Sequence, residues 1–164
     1  MGRFFGQQKI GLALSGGAAR GLAHIGVIKV LQEERIPISF MAGTSVGSLM
    51  GALFAAGMSW EEMADTAHTI KWKDLVSLAF HGLGIAHTQK FRETIDRLLR
   101  RKRFHELDIP FAAVAVDIIT GEKVILREGS VAEAVRASCS IPGIFEPATI
   151  DGRHLVDGGL RDNL

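Results

Sequence analysis

The chain has 164 residues, enough for one domain with a core of its own, and 47% hydrophobic against 23% charged residues exclude a disordered or fibrous protein. A net charge of +1 excludes a global field that gathers nucleic acid, and the single cysteine, Cys139, excludes an internal disulfide. Residues 1–9 are polar and mixed in composition, unlike a signal peptide, so a cytoplasmic setting is expected.

Residues 9–14 form a short apolar run and read as a strand. A glycine-rich turn follows, and then Leu22, Ile25, Ile28 and Leu31 recur at helical spacing. Pro37 blocks that helix, and residues 38–42 read as a second strand entering a turn at Gly43. Strand, helix, strand in this order predicts a parallel pair. Residues 38–60 carry no charge over 23 positions, which is long enough to span a bilayer. Gly43-Thr44-Ser45 and Gly47-Ser48 interrupt the run, and much of it is Gly, Ala and Ser. The segment therefore reads as a buried strand, a turn and a buried helix.

Ser59 with Glu62 forms a capping box that starts the next helix. Residues 80–87 are predicted as loop. A further helix carries Phe91, Ile95, Leu98 and Leu99 on one face, and residues 90–103 contain seven basic against two acidic residues. Beyond Pro110, residues 111–116 and 123–126 read as a hairpin turned by Thr120-Gly121. Ser130 with Glu133 is a second capping box, for a short helix to about Ser138. Pro142 and Pro147 bracket an irregular segment, and residues 154–157 read as a last strand running into Gly158-Gly159.

Three motifs carry chemistry. Gly43-Thr44-Ser45-Val46-Gly47 fits G-x-S-x-G where a strand meets a helix, the setting that projects a serine nucleophile from a sheet edge. Read alone, Ser45 fits a simple helix cap equally well, and the Gly-x-x-x-Gly spacing also occurs in membrane helix dimers. Ser15-Gly16-Gly17-Ala18-Ala19-Arg20-Gly21 offers consecutive backbone amides that can converge on an oxyanion. A dinucleotide loop is the competitor, but the G-x-G-x-x-G spacing is absent. Asp157-Gly158-Gly159 places an acid at a strand end, although Asp-Gly is also a common turn. Chain order further allows a triad of Ser45, Asp117 and His154, with His105 as another histidine after the serine. Cys139 reads as a packed thiol.

Taken jointly and in this order, the three motifs resemble the patatin-like phospholipase family, and the segment Ser138-Cys139-Ser140-Ile141-Pro142-Gly143-Ile144-Phe145-Glu146-Pro147 resembles the stretch that family carries before its aspartate. The resemblance runs from about Lys9 to Leu164. It implies an α/β fold with a mostly parallel central sheet flanked by helices, a patatin-like three-layer sandwich with a nucleophile elbow. It implies one domain over residues 1–164, with the family's C-terminal part lying beyond Leu164. It also implies hydrolysis of lipid acyl esters through a covalent acyl-enzyme, with Ser45 as nucleophile, Asp157 as general base and the loop Gly16, Gly17, Ala18, Ala19, Arg20 and Gly21 as oxyanion hole. Gly43, Gly47, Gly158 and Gly159 complete the motifs. No metal or cofactor is implied.

The substrate expected is a lipid or other ester, with no nucleic acid. Arg97, Arg100, Arg101, Lys102 and Arg103 offer peripheral contact with an anionic membrane, against the plainer reading of a solvated helix face. The alternative to an enzyme is a lipid-binding or regulatory module of the same fold. An ordinary aspartate is a weak base, and burial and hydrogen bonding push its pKa in opposite directions.

Overall fold

The computed structural model describes residues 9–69 and 85–164. The chain opens with β1 (Ile10–Leu14) and, after a 3₁₀ turn at Ala18–Leu22, α1 (Ala23–Glu33). Ile25 and Ile28 on α1 are buried, as their spacing predicts. Next come β2 (Ile38–Thr44), α2 (Val46–Ala55) and α3 (Trp60–Thr69). The capping box that opens α3 is present in both directions, with Ser59 N–H donating to Glu62 Oε2 at 2.8 Å and Glu62 N–H donating to Ser59 Oγ at 3.2 Å.

After α4 (Ile85–Leu98) the chain forms the hairpin of β3 (Phe111–Asp117) and β4 (Lys123–Leu126), then α5 (Val131–Ser138), β5 (Ala148–Ile150) and β6 (Arg153–Asp157). One expectation changes, and one strand is added. Residues 85–87, read as loop, belong to α4, while the rest of that predicted loop, 80–84, lies outside the described residues. Residues 148–150, for which the sequence predicts no element, pair antiparallel with β6 as β5. Three residues between a proline and a turn carry too little periodicity to announce a strand; pairing with β6 makes it one.

The sheet is mixed and flanked by helices. β1, β2 and β3 form its parallel core, and β4, β6 and β5 extend it with antiparallel pairs. Its register has one consequence for the site. Ala113 and Val114 pair with both β2 and β4, and Ala115 and Val116 pair with both β4 and β6. A strand has two edges, so β2 and β6 share the edge opposite β4. They run along it in opposite senses, and their C-terminal ends meet: Thr44 pairs with Val114 and Asp157 with Ala115.

The core lies between this sheet and α2, which packs on β1, β2 and β3 and touches α1, α3 and α5. Nearly every residue of α2 is buried, which accounts for the uncharged run without a membrane. Among the described residues no helix is long and apolar enough to cross a bilayer. Gly11, Ala13 and Phe40 face outward on the other side of β1 and β2.

The basic run divides. Phe91, Ile95 and Leu99 are buried as expected, but α4 ends at Leu98, and Arg100 and Arg101 turn the chain with φ of 52° and 58°. Arg101 faces Asp96, Lys102 donates to the Ala56 carbonyl and to Asp108, and Arg103 N–H is held by Glu106. Arg97, Arg100, Arg101, Lys102 and Arg103 therefore do not form one basic helix face, and the geometry does not support a membrane contact through them. The helical pattern of the preceding residues hides the stop, because charged side chains fit helix and turn alike.

Candidate active site

β2 delivers Ser45 onto a tight turn at φ 53° and ψ −128°, and α2 begins at the next residue. A non-glycine residue is held in such a region at a cost of about 1–3 kcal/mol, so its surroundings must over-determine it. They do. The Ser45 carbonyl accepts from Ser48 N–H at 2.8 Å, Leu49 N–H at 3.2 Å and Ser48 Oγ–H at 2.6 Å, and Ser45 N–H donates to Ser138 Oγ at 2.8 Å. Ser45 occupies the N-cap position of α2, but its side chain makes no capping bond. The simple cap reading is set aside, and the hydroxyl is available to other partners.

The two motif glycines are explained by close approach. A Cβ on Gly43 would lie 2.4 Å from the Gly47 carbonyl oxygen, and one on Gly47 would lie 2.2 Å from the Leu14 oxygen and 2.5 Å from the Ser15 oxygen. The second contact brings the end of β1, and the glycine loop after it, against the elbow.

Asp157 ends β6 and is buried. Its N–H donates to the Ser140 carbonyl at 2.9 Å, and its Oδ1 accepts from Gly159 N–H at 2.8 Å, which starts the 3₁₀ turn Gly158–Leu160. Asp-Gly-Gly is thus a turn, as the plain reading had it, and it also brings the carboxylate close to the Ser45 side chain. Burial pushes the Asp157 carboxyl above its ordinary value, and the hydrogen bonds from Ser45 and Gly159 only partly offset that. The contest left open by the sequence goes to burial. A Cβ on Gly158 would lie 2.4 Å from the Val114 oxygen and 3.1 Å from Thr44 Cγ2, so this glycine lets the two strand ends close up.

The glycine loop runs beside the serine: a Cβ on Gly16 would lie 3.1 Å from Ser45 Cβ. Its amides are not equivalent. Gly16 N–H donates to Asn163 Oδ1 at 3.1 Å, and Arg20 N–H donates to the Gly17 carbonyl inside the 3₁₀ turn. Ala18 holds φ 48°, and Ala18, Ala19 and Arg20 are exposed. Gly21 is buried against Val46, the first residue of α2. His24 donates from Nε2 to the Ser15 carbonyl at 2.9 Å, fixing the loop from below.

His154 and Asp117 do not join Ser45. The His154 ring pairs with Thr149 Oγ1 at 3.3 Å across β5 and β6, and Asp117 Oδ1 accepts from Ile119 and Thr120 N–H at the end of β3. His105 sits exposed in the 3₁₀ turn Phe104–Glu106. Cys139 is buried with its Sγ 3.9 Å from Ser48 Oγ, and burial together with the nearby Asp157 charge pushes its thiol up, so it stays protonated and packed. Among the described residues no group of three His, Cys, Asp or Glu side chains is placed to hold a metal ion.

Ser138, Asn163 and His24 went unnoticed in the sequence as site residues. Ser138 lies in the segment preceding the aspartate and His24 one turn past the glycine loop, but only the folded chain shows what each side chain bonds.

A family model described as patatin-like phospholipase matches residues 12–164. The chain belongs to the patatin-like phospholipase family. An uncharacterized NTE family protein of Mycobacterium tuberculosis is 36% identical over 159 residues, covering 95% of this chain and 44% of that protein. Patatin-like phospholipase domain-containing protein 6 of Mus musculus is 33% identical over 163 residues, covering 94% of this chain and 12% of that protein. The chain thus spans less than half the length of these curated relatives. Among solved structures, VipD from Legionella pneumophila superposes with a TM-score of 0.75 at 16% identity, over 95% of this chain and 47% of that one. ExoU from Pseudomonas aeruginosa, solved in complex with SpcU, gives 0.62 at 20% identity, over 82% and 38%. At such identities the likeness is one of fold.

Proposed function

We propose that this patatin-like domain is a lipid acyl hydrolase in which Ser45 is the nucleophile and Asp157 its general base. The observation that carries the reading is the head-on meeting of β2 and β6 at Val114 and Ala115, which sets a strained serine and a buried carboxylate side by side. Asp157 takes the proton from Ser45 Oγ as Oγ bonds to the acyl carbon, and the carbonyl electron pair moves onto oxygen. Collapse of that tetrahedral species returns the proton to the departing alcohol and leaves an acyl-serine. Asp157 then deprotonates water for the second half. The raised pKa of Asp157 favours this role, because a stronger base accepts the serine proton more readily.

With Gly16 and Arg20 amides engaged, Gly17, Ala18 and Ala19 N–H are the loop donors assigned to the oxyanion. The test is fluorophosphonate labelling and hydrolysis of phospholipids, lysophospholipids and p-nitrophenyl esters by the wild type, Ser45→Ala, Asp157→Asn and His154→Ala. Labelling and hydrolysis lost in Ser45→Ala, with kcat lowered roughly 10²–10⁴-fold in Asp157→Asn and unchanged in His154→Ala, supports the dyad. A wild-type chain that binds lipid yet neither labels nor hydrolyses any ester favours the binding module instead.

A further inference from the structure

The Ser45 amide poses a local problem that its own element does not solve. β2 has ended, the backbone has turned to positive φ, and the part-buried N–H needs a partner, since a fully buried one left unpaired costs about 1–3 kcal/mol. The partner comes from 93 residues away. Ser138, the last residue of α5, is fully buried, and its Oγ accepts from Ser45 N–H at 2.8 Å while donating its own proton to the Val114 carbonyl at 2.6 Å. Val114 is the β3 residue opposite Thr44, where β2 stops, and the next residue, Ala115, lies opposite Asp157, where β6 ends. One hydroxyl oxygen therefore sets the spacing between the central strand and the elbow. With its proton committed to Val114, its lone pairs are turned toward Ser45.

Two residues on, the Ser140 carbonyl accepts from Asp157 N–H at 2.9 Å. Ser140 is held in turn, since its Oγ–H donates to the Arg136 carbonyl at 2.9 Å. The end of α5 thus grips the main chain of both members of the dyad. Any shift of this segment changes the distance from Ser45 Oγ to the carboxylate.

We propose that Ser138 is a positioning residue for the acylation step, holding the Ser45 main chain in its strained conformation so that Oγ stays aimed between Asp157 and the acyl carbon. The inference rests on Ser45 being the nucleophile and adds a residue whose role is to fix the geometry without touching substrate. A misplacement of about 1 Å costs on the order of a hundredfold in rate, so loss of this hydroxyl is expected to show in kcat and to spare KM.

The experiment compares wild type, Ser138→Ala and Ser138→Cys in the full chain, reading kcat and KM on a soluble p-nitrophenyl ester, the rate of fluorophosphonate labelling, and the thermal midpoint. Ser138→Ala is expected to lower kcat and the labelling rate by the same factor, about ten- to a hundredfold, with KM within about twofold. Ser138→Cys, which keeps a weak donor and acceptor, is expected to recover part of both rates. If the alanine chain does not fold, the cysteine chain carries the test by its own kcat and labelling deficit at unchanged KM. Wild-type kcat and labelling in Ser138→Ala overturn the proposal, as does a cysteine chain with the wild-type thermal midpoint and no more rate than a folded Ser138→Ala. Failure of the underlying reading looks different: Ser45→Ala then labels as the wild type does, and both inferences fall together.

Discussion

The Gly16 amide donates to the side-chain oxygen of Asn163 at 3.1 Å, across 147 positions of chain. The same oxygen would lie 3.2 Å from a Cβ on Gly159, so Asn163 stands between the glycine loop and the turn that follows Asp157. It ties the glycine loop to the Asp157 turn, which in the proposed mechanism are the oxyanion side and the base side. Asn163→Ala is expected to lower kcat on a soluble ester about tenfold, because the loop amides beside Gly16 lose their fixed aim. Steady-state kinetics with matched fluorophosphonate labelling check this, and an unchanged kcat counts against the tie.

Gly47 and Gly26 make a contrasting pair. A Cβ on Gly47 would press on the Leu14 and Ser15 carbonyls, both main chain, whereas one on Gly26 in α1 would meet nothing within 4 Å. Gly47→Ala is expected to separate β1 from the elbow and destabilise the chain by about 1–3 kcal/mol, with loss of activity. Gly26→Ala is expected to stabilise it by about 0.5–1 kcal/mol through helix propensity alone. Denaturant unfolding of the two variants reads both signs.

The backbone of Ser45 separates chemistry from strain. At φ 53° and ψ −128° glycine is at ease and alanine is not. Ser45→Gly and Ser45→Ala are both expected to be inactive, but the glycine variant should be the more stable by roughly 1 kcal/mol. Thermal midpoints in the same buffer test it; equal midpoints mean the elbow is relaxed.

The raised pKa of Asp157 has two pH signatures. The proposed mechanism requires the carboxylate, so kcat/KM on a soluble ester should fall as pH drops through the raised pKa, at a pH above the ordinary 3.8. For stability the sign is reversed. The folded state holds this proton more tightly than the unfolded chain, so the group's favourable contribution is present below the unfolded pKa. It is lost as pH rises through the folded one. Asp157→Asn is therefore expected to melt higher than wild type at neutral pH, with the gap closing as pH falls toward 3.8. A gap independent of pH contradicts the shift.

The sequence alone determined what depends on neighbours within a turn or two of chain. The capping box at Ser59 with Glu62, and the Ser130 cap on Glu133 N–H, were legible because donor and acceptor lie three residues apart. The Gly43 to Gly47 elbow was legible because a strand, a glycine-flanked serine and a helix follow one another directly, and the joint order of three motifs marked Asp157. What pairs across the chain was decided only by the tertiary structure. β5 exists because β6 is there to bond it, and α4 stops at Leu98 although its charged sequence would suit a longer helix. The rise of the Asp157 pKa depends on how deeply β3 and its neighbours bury the carboxylate against the hydrogen bonds it keeps. Ser138, Asn163 and His24 belong to the site through single hydrogen bonds to Ser45, Gly16 and Ser15. A hydrogen bond is specified by where two atoms come to rest, and a polar side chain has no periodicity that names a distant partner.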